Sequence, residues 1–559
     1  MLNPWLAHYE PGIPPTLEYP ALPLHGLLEQ TAARYPQRTA TIFFGAQLSY
    51  RALDAAANRF AHALLSFGLK RGDRVALMLP NCPQFLIAFY GTLKAGGVVT
   101  AVNPLYTPRE LEHQLNDAGV ETLVTLTKFY PTVEAVRAKT ALQRVIVTNI
   151  KESFPAALRL LFTLFKERKE GHRVRLRGVA ATYWLRDVLS AQRTANGPGI
   201  TVDPGDTALL QYTGGTTGTP KGAMLKHAGL VANTLQIRAW LSDFQDAAET
   251  MLLALPLFHI FGMGACMSLM VHGAGTMVLL PQFRTGDVLR AVSKYRATLF
   301  PGVPSMYVAL NNSPELRRVN LKSLRHCFSG AAPLPQEVQQ RFEAHIGGHL
   351  VEGFGMTEAN ACVINPLRGT RKPGSIGIPI PDVEARIVDL ATGMQTLPPG
   401  EVGELAVRCP QQMQGYWHKP DETAQVLRDG WVYTGDIARM DAEGFFYLVD
   451  RKKEMILSGG FNVYPRDVEE VLYMHSQVQE AAVIGTPDAF LGECVKAFVV
   501  PRNGVSPAPD EIIEFCRQHL VAYKVPKQVE FRASLPKTLV GKVLRRVLIE
   551  EERQRIVSS

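Results

Sequence analysis

No residue between Met251 and Phe283 carries a charge. By length alone such a run could cross a bilayer. Pro256, Gly262, Gly264, Gly273 and Gly275 interrupt it, however, and His259 and His272 lie inside it. The breaks divide it into a buried strand "MLLAL", a buried helix "IFGMGACMSLMVHG" and a second buried strand "TMVLL", which favours core over a membrane span. Cysteine is sparse and scattered: Cys82, Cys266, Cys327, Cys362, Cys409, Cys494 and Cys516 form no C-x-x-C pair. No thiolate metal cage or disulfide framework is indicated, and a reducing cytoplasm is the expected compartment. The opening "MLNPWLAHYEPGIPP" lacks a basic stretch followed by an apolar run, so a secretory signal is not expected. Internal repeats and long low-complexity tracts are also missing.

What remains is the composition of a globular protein, with 46% hydrophobic and 20% charged residues. At 559 residues the chain is too long for one core, so two or more domains are expected. Lys and Arg outnumber Asp and Glu by 59 to 51, a net charge of +8. That balance favours anionic partners such as nucleotides, coenzyme A or acidic lipid. Nucleic acid is not among the expected partners, because no recognisable binding module accompanies the basic surface.

The first third alternates helix and strand. Leu53, Ala57, Phe60 and Leu64 share a helical face that Gly68 ends. "RVALML", "VVTAV" and "ETLVTL" read as buried strands, and Thr107-Pro108-Arg109-Glu110 as a capping box with proline at the first helical position. This alternation predicts an α/β fold, a large N-terminal layered domain with parallel sheets. Near "DRKKE" (Asp450–Glu454) the pattern changes to a small α+β unit, which divides the chain into residues 1–450 and 451–559. Residues 151–177, "KESFPAALRLLFTLFKERKEGHRVRLR", stand apart. Leu158, Leu161, Phe162 and Phe165 fall on one helical face, and Arg159, Lys166, Arg168 and Lys169 lead into a basic tail. Two readings stay open for this helix: peripheral docking on an anionic membrane surface, or packing on its own domain.

The stretch "YTGGTTGTPKG" (Tyr212–Gly222) gathers four glycines, four threonines and a lysine. Glycines let backbone amides crowd an anion, and threonine hydroxyls add donors or a metal ligand. It is not a P-loop, because Lys221 follows Pro220 and precedes Gly222 instead of standing in G-K-[ST].

Four further motifs follow in order: "GFGMTE" (Gly353–Glu358), "YTGD" (Tyr433–Asp436), "DRKKE" and "PKTLVGK" (Pro536–Lys542). Together the five resemble the acyl-adenylate-forming (ANL) superfamily over nearly the whole chain. The run from "DGWVYTGD" to "GGFNVYP" looks most like bacterial long-chain fatty-acid–CoA ligases. The resemblance implies that Thr213, Gly214, Gly215, Thr216, Thr217, Gly218 and Lys221 cradle the ATP phosphates. It also implies a Mg²⁺ ion held by Glu358 and a loop threonine, with Thr213 the first choice. Phe354 would stack on adenine beside Gly330, Ala331, Gly353 and Thr357, while Asp436 and Arg451 would meet the ribose. Lys542 would bridge the substrate carboxylate and the α-phosphate. The small C-terminal domain is expected to be mobile, turning about a hinge at Lys453 to bring Gly459 and Gly460 to the pantetheine arm of CoA. His259 matches a family position near the acyl carboxylate, and a core histidine remains an equal reading of it.

The chemistry explains these parts. A carboxylate resists nucleophilic attack, and joining it to the α-phosphate of ATP supplies AMP as a leaving group. Two anions must meet in that step, so cations and oriented donors are needed where charge develops. An amino-acid substrate is disfavoured, because no acid stands between Met251 and Phe283 to pair its ammonium. The expected activity is thus ATP-dependent ligation of a fatty acid to CoA, with a medium-chain or aryl acid as the alternative. The rivals are an adenylate-only fatty-acyl-AMP ligase and a membrane-surface fatty-acid capture protein. A homodimer is a further expectation.

Overall fold

The computed structural model describes residues 3–213, 220–451, 454–458, 461–488, 491–502, 504–538 and 543–558. After Arg74 the strand Arg74–Met78 is apolar and buried at every position, and Val98–Ala101 is buried throughout, as a parallel sheet covered by helices requires. Among the described residues, seven strands form one such sheet, in the order Thr182–Trp184, Arg144–Thr148, Thr122–Leu126, Arg74–Met78, Val98–Ala101, Thr207–Thr213, Lys221–Lys226. All its pairs are parallel except the last, where Thr213 faces Lys221 across an antiparallel ladder.

A second sheet of nine described strands has a parallel centre: Thr39–Phe43, Thr276–Leu279, Thr250–Leu253, Leu299–Gly302, His326–Ser329 and His349–Met356. One apolar core runs between the two sheets and takes in the helices Tyr50–Ser66 and Pro83–Lys94. An antiparallel sheet follows, with strands Glu384–Val388, Val402–Arg408, Leu427–Arg428, Trp431–Met440 and Phe446–Arg451. The last part of the chain builds a mixed sheet around Val478–Asp488 and Gly492–Pro501, packed by helices Pro465–Met474 and Pro509–His519 over its own core. The fold is therefore the expected mixed α/β arrangement, a large N-terminal domain and a smaller C-terminal one.

Local signals in the sequence reappear as geometry. Thr107 caps the helix Pro108–Ala118 by a reciprocal box with Glu110, and Gly119 closes it at φ +61. The charge-free run folds as strand Thr250–Leu253, a helix, and strand Thr276–Leu279. That helix differs in one respect from a plain α-helix, because Phe261–Met267 is wound as π before Ser268–His272 turns α. Gly262 permits the tight start: a Cβ there would lie 2.3 Å from the Pro256 carbonyl oxygen. Among the described residues no helix is long and apolar enough to cross a membrane.

The helix within 151–177 spans Ala156–Phe165 and divides the apolar face read from the sequence. Phe162 is buried and Leu158 packs on the core, whereas Leu161 and Phe165 point outward together with Leu160 and Leu164. Only Arg159 and Thr163 among its ten residues are polar, so the apolar positions outnumber those that one domain face covers.

Candidate active site

Three neighbouring parallel strands, Leu299–Gly302, His326–Ser329 and His349–Met356, end on one edge of the nine-stranded sheet. Ligands of open α/β sheets bind outside such carboxyl ends. Here those ends deliver Ala331, Gly353 and Phe354 to the wall of an open cleft. Ala331 holds a left-handed backbone at φ +69, a strained conformation for a residue with a Cβ and one that clusters at functional sites. Asp436 enters the same cleft from the strand Trp431–Met440 and is 5% exposed. Antiparallel register sets Asp436 directly across from Arg451, described here by its backbone alone.

The small domain closes the cleft. Arg466, Glu469, Lys537, Val543 and Arg545 line its other side. Arg466 is buried, and its Nη1 donates to the Leu448 carbonyl at 2.8 Å while its Nε meets Glu470 at 3.1 Å. The Arg466 amide also donates to Asp450 Oδ2 at 3.1 Å. Burial pushes the Glu352 carboxyl up to about 7, opposed by the charge of Arg466 and the Leu334 amide. Burial works against the Arg545 charge too, but Glu469, Glu454 and Asp450 keep that guanidinium firmly protonated.

A second group lies around the turn after the strand His349–Met356. Thr357 and Glu358 are both buried there. The Tyr416 hydroxyl donates to Glu358 Oε1 at 2.5 Å, and Lys221 Nζ sits 5.4 Å from the Tyr416 ring centre. Because Thr213 pairs with Lys221, these contacts bring the exit of the Gly/Thr loop to Glu358. Burial, with the Glu358 charge beside it, holds the Tyr416 phenol well above its usual range, so it stays a donor. Among the described residues no cluster of three or more His, Cys, Asp or Glu could hold a metal by itself. A single buried carboxylate with a nearby hydroxyl does suit Mg²⁺ that arrives on nucleotide phosphates, since that ion keeps waters and takes few protein ligands.

His259 lies apart from Glu358 in a narrow pocket with Leu255, Pro256, Phe261, Val303 and Ala331. Ala331 lines both this pocket and the cleft. His259 Nδ1 accepts from the Phe261 amide at 3.2 Å, and burial lowers its imidazole to about 4. The ring is therefore neutral at ordinary pH. Gly330 stands against Phe261, whose ring would be 3.1 Å from an added Cβ.

Of the residues expected from sequence, Ala331, Gly353, Phe354 and Asp436 line the cleft, Gly330 stands beside Gly353 and Phe261, and Thr213, Lys221, Thr357 and Glu358 lie along the loop exit and its facing turn. Gly214, Gly215, Thr216, Thr217, Gly218, Lys453, Gly459, Gly460 and Lys542 lie outside the described residues. Sequence reasoning passed over Tyr416, Glu352, Arg466 and Arg545.

Comparison with known proteins agrees with this layout. The AMP-binding enzyme family model matches residues 28–417, and the AMP-binding enzyme C-terminal domain model matches 467–542. A long-chain-fatty-acid–CoA ligase of Bacillus subtilis (strain 168) is 45% identical over 554 residues, 99% of this chain and 98% of its own. One from Salmonella typhimurium (strain LT2) is 40% identical over 571 residues, 100% of this chain and 99% of its own. The crystal structure of ATP-bound MatB from Rhodopseudomonas palustris superposes with a TM-score of 0.83 at 31% identity, covering 95% of this chain and 99% of that one. A cleft at parallel strand ends, closed by a small C-terminal domain, accompanies family models that match residues 28–417 and 467–542, and this chain is a member of the AMP-binding enzyme family.

Proposed function

We propose that the protein is a long-chain fatty-acid–CoA ligase. A carboxylate oxygen of the acid attacks the α-phosphorus of ATP and pyrophosphate leaves. The sulfur of CoA then attacks the acyl carbon, AMP leaves, and the thiol proton passes to solvent. One observation carries this reading. The cleft that holds Phe354 and Asp436 is also lined by Lys537 and Val543, which stand on either side of the segment ending in Lys542.

In this reading Phe354 stacks on adenine with Gly330 and Ala331 close by, and Asp436 accepts the ribose hydroxyls, a task suited to an acceptor-only carboxylate. Arg451, across the ladder from Asp436, approaches the same sugar. Thr213 to Gly218 and Lys221 hold the β- and γ-phosphates. Glu358 and Thr213 would hold Mg²⁺, which would supply positive charge to the phosphates when bound. Lys542 brings a compact positive charge between carboxylate and α-phosphate. Rotation about Lys453 withdraws it and presents Gly459 and Gly460 to CoA, with the domain boundary at 450/451. Neutral His259, next to Ala331, faces the carboxyl end of the acyl chain, and a hydrophobic acyl site discriminates weakly between chains that differ by a methylene.

The protein is placed in the cytoplasm, at the inner face of the membrane, where long-chain acids enter. The test is acid-dependent exchange of pyrophosphate into ATP, followed by thioester formation with CoA across acids of graded length. Exchange and thioester are both expected, strongest with long chains. Exchange without thioester would replace the reading with an adenylate-only enzyme, and no exchange would end it.

A further inference from the structure

The helix Ala156–Phe165 is fixed on one side and bare on the other. Phe162 is 6% exposed and meets Phe154 edge-on at 5.4 Å and His172 at 5.5 Å. Arg159 Nη2 donates to the Glu152 carbonyl at 3.1 Å, and Lys151 pairs with Glu167 at 2.7 Å, so the helix is tied at both ends. Leu160, Leu161, Leu164 and Phe165 are 61%, 52%, 65% and 71% exposed. Four large apolar side chains within six residues, held outward by a well-anchored helix, form a contiguous ridge of the kind that marks an interaction surface. Phe44, 52% exposed, meets the same Phe154 edge-on at 4.8 Å.

The surroundings of the ridge specify the partner. Arg159, Lys166, Arg168, Lys169, Arg173, Arg175 and Arg177 are all exposed. Against them Glu167 is engaged by Lys151, and Glu170 lies beside Lys166 at 3.8 Å. An apolar ridge with a cationic skirt matches an anionic bilayer, in which acyl chains receive leucine and phenylalanine while phosphates receive lysine and arginine.

We propose that this ridge docks the protein on an anionic lipid surface, with Leu160, Leu161, Leu164 and Phe165 inserted and the basic tail lying on the headgroups. The choice of a bilayer over a protein partner rests in part on the ligase reading, since a long-chain acid partitions into lipid. The full-length protein would be sedimented with vesicles of phosphatidylcholine alone and of phosphatidylcholine mixed with phosphatidylglycerol. Wild type should pellet with the mixed vesicles, and binding should fall by about tenfold or more with neutral lipid or in high salt. A Leu164→Glu/Phe165→Glu variant should stay in the supernatant. A Lys166→Glu/Arg168→Glu/Lys169→Glu variant should lose the preference for anionic lipid. Both should keep pyrophosphate exchange with a water-soluble medium-chain acid, which shows that they are folded. Wild type that ignores mixed vesicles, or variants that bind like wild type, would overturn the proposal. So would a solution dimer that the Leu164→Glu/Phe165→Glu variant splits into monomers, because the ridge would then be a protein interface. Vesicle binding without exchange activity would leave the docking surface standing and remove the ligase reading alone.

Discussion

The Tyr416 hydroxyl donates to Glu358 Oε1 at 2.5 Å, joining residues 58 positions apart in the chain. Tyr416 also forms an isolated bridge with Ala223, and its ring lies under Lys221, so one side chain ties the exit of the Gly/Thr loop to the acid after "GFGM". Tyr416→Phe keeps the ring and the Lys221 contact and removes the donor. A hydrogen bond to a charged group is worth about 1.5–3 kcal/mol. The variant should therefore need about tenfold more Mg²⁺ for adenylation. Calorimetry with a non-cleavable ATP analogue should show the same weakening without turnover. Transfer of preformed acyl-adenylate to CoA should not change, and an equal loss in both half-reactions would mean that Tyr416 merely supports the fold.

Contacts of this kind explain what the sequence could and could not reveal. The Thr107–Glu110 box and the two strands of the charge-free run were legible because each is decided within a few residues. Tyr416 on Glu358 and Arg466 on Leu448 are joined only by the fold, and no local period encodes them. For the helix Ala156–Phe165 the sequence left two readings open, docking on a membrane surface or packing on its own domain. Leucine or phenylalanine lies on both its sides, and the domain covers Leu158 and Phe162 while Leu161 and Phe165 stay exposed.

Arg466 spans the seam between the domains, donating to the carbonyls of Leu448 and Gly374 from a helix of the small domain. These contacts belong to the arrangement in which Lys537 and Val543 face the nucleotide cleft, and rotation would break them. Arg466→Ala should lower pyrophosphate exchange by about tenfold, as expected when about 1.4 kcal/mol of that arrangement's stability is lost. Thioester formation from added acyl-adenylate should persist. Lys542→Ala should give the same split more completely. Loss of the thioester step in either variant would contradict the two-position assignment.

Glu352 makes stability depend on pH. Burial raises its carboxyl from 4.5 to about 7, so the folded chain holds a proton that the unfolded chain releases. The stabilisation is complete below about 4.5 and is lost as pH rises through about 7. At about 1.4 kcal/mol per pH unit, the loss approaches 3 kcal/mol by pH 8. Glu352→Gln cannot ionise, so its unfolding free energy relative to wild type should climb between pH 5 and pH 8. Thermal melts of both proteins across that range measure it, and parallel curves would show that the carboxyl is not held neutral.

Gly262 and Gly264 stand two residues apart in the same π turn and should respond differently to one added methyl. At Gly262 a Cβ would lie 2.3 Å from the Pro256 oxygen and 2.9 Å from its carbon, backbone atoms that cannot step aside. At Gly264 the nearest atom is Ile260 Cδ1 at 3.1 Å, the far end of a side chain that can change rotamer. Gly262→Ala should cost about 1–3 kcal/mol of stability through overpacking. Because Pro256 and Gly262 line the pocket of His259, it should also raise the KM for the fatty acid while leaving that for ATP near wild type. Gly264→Ala should stay close to wild type in melting temperature and in both KM values. Equal responses from the two variants would mean that the π turn does not hold the backbone of Pro256 against Gly262.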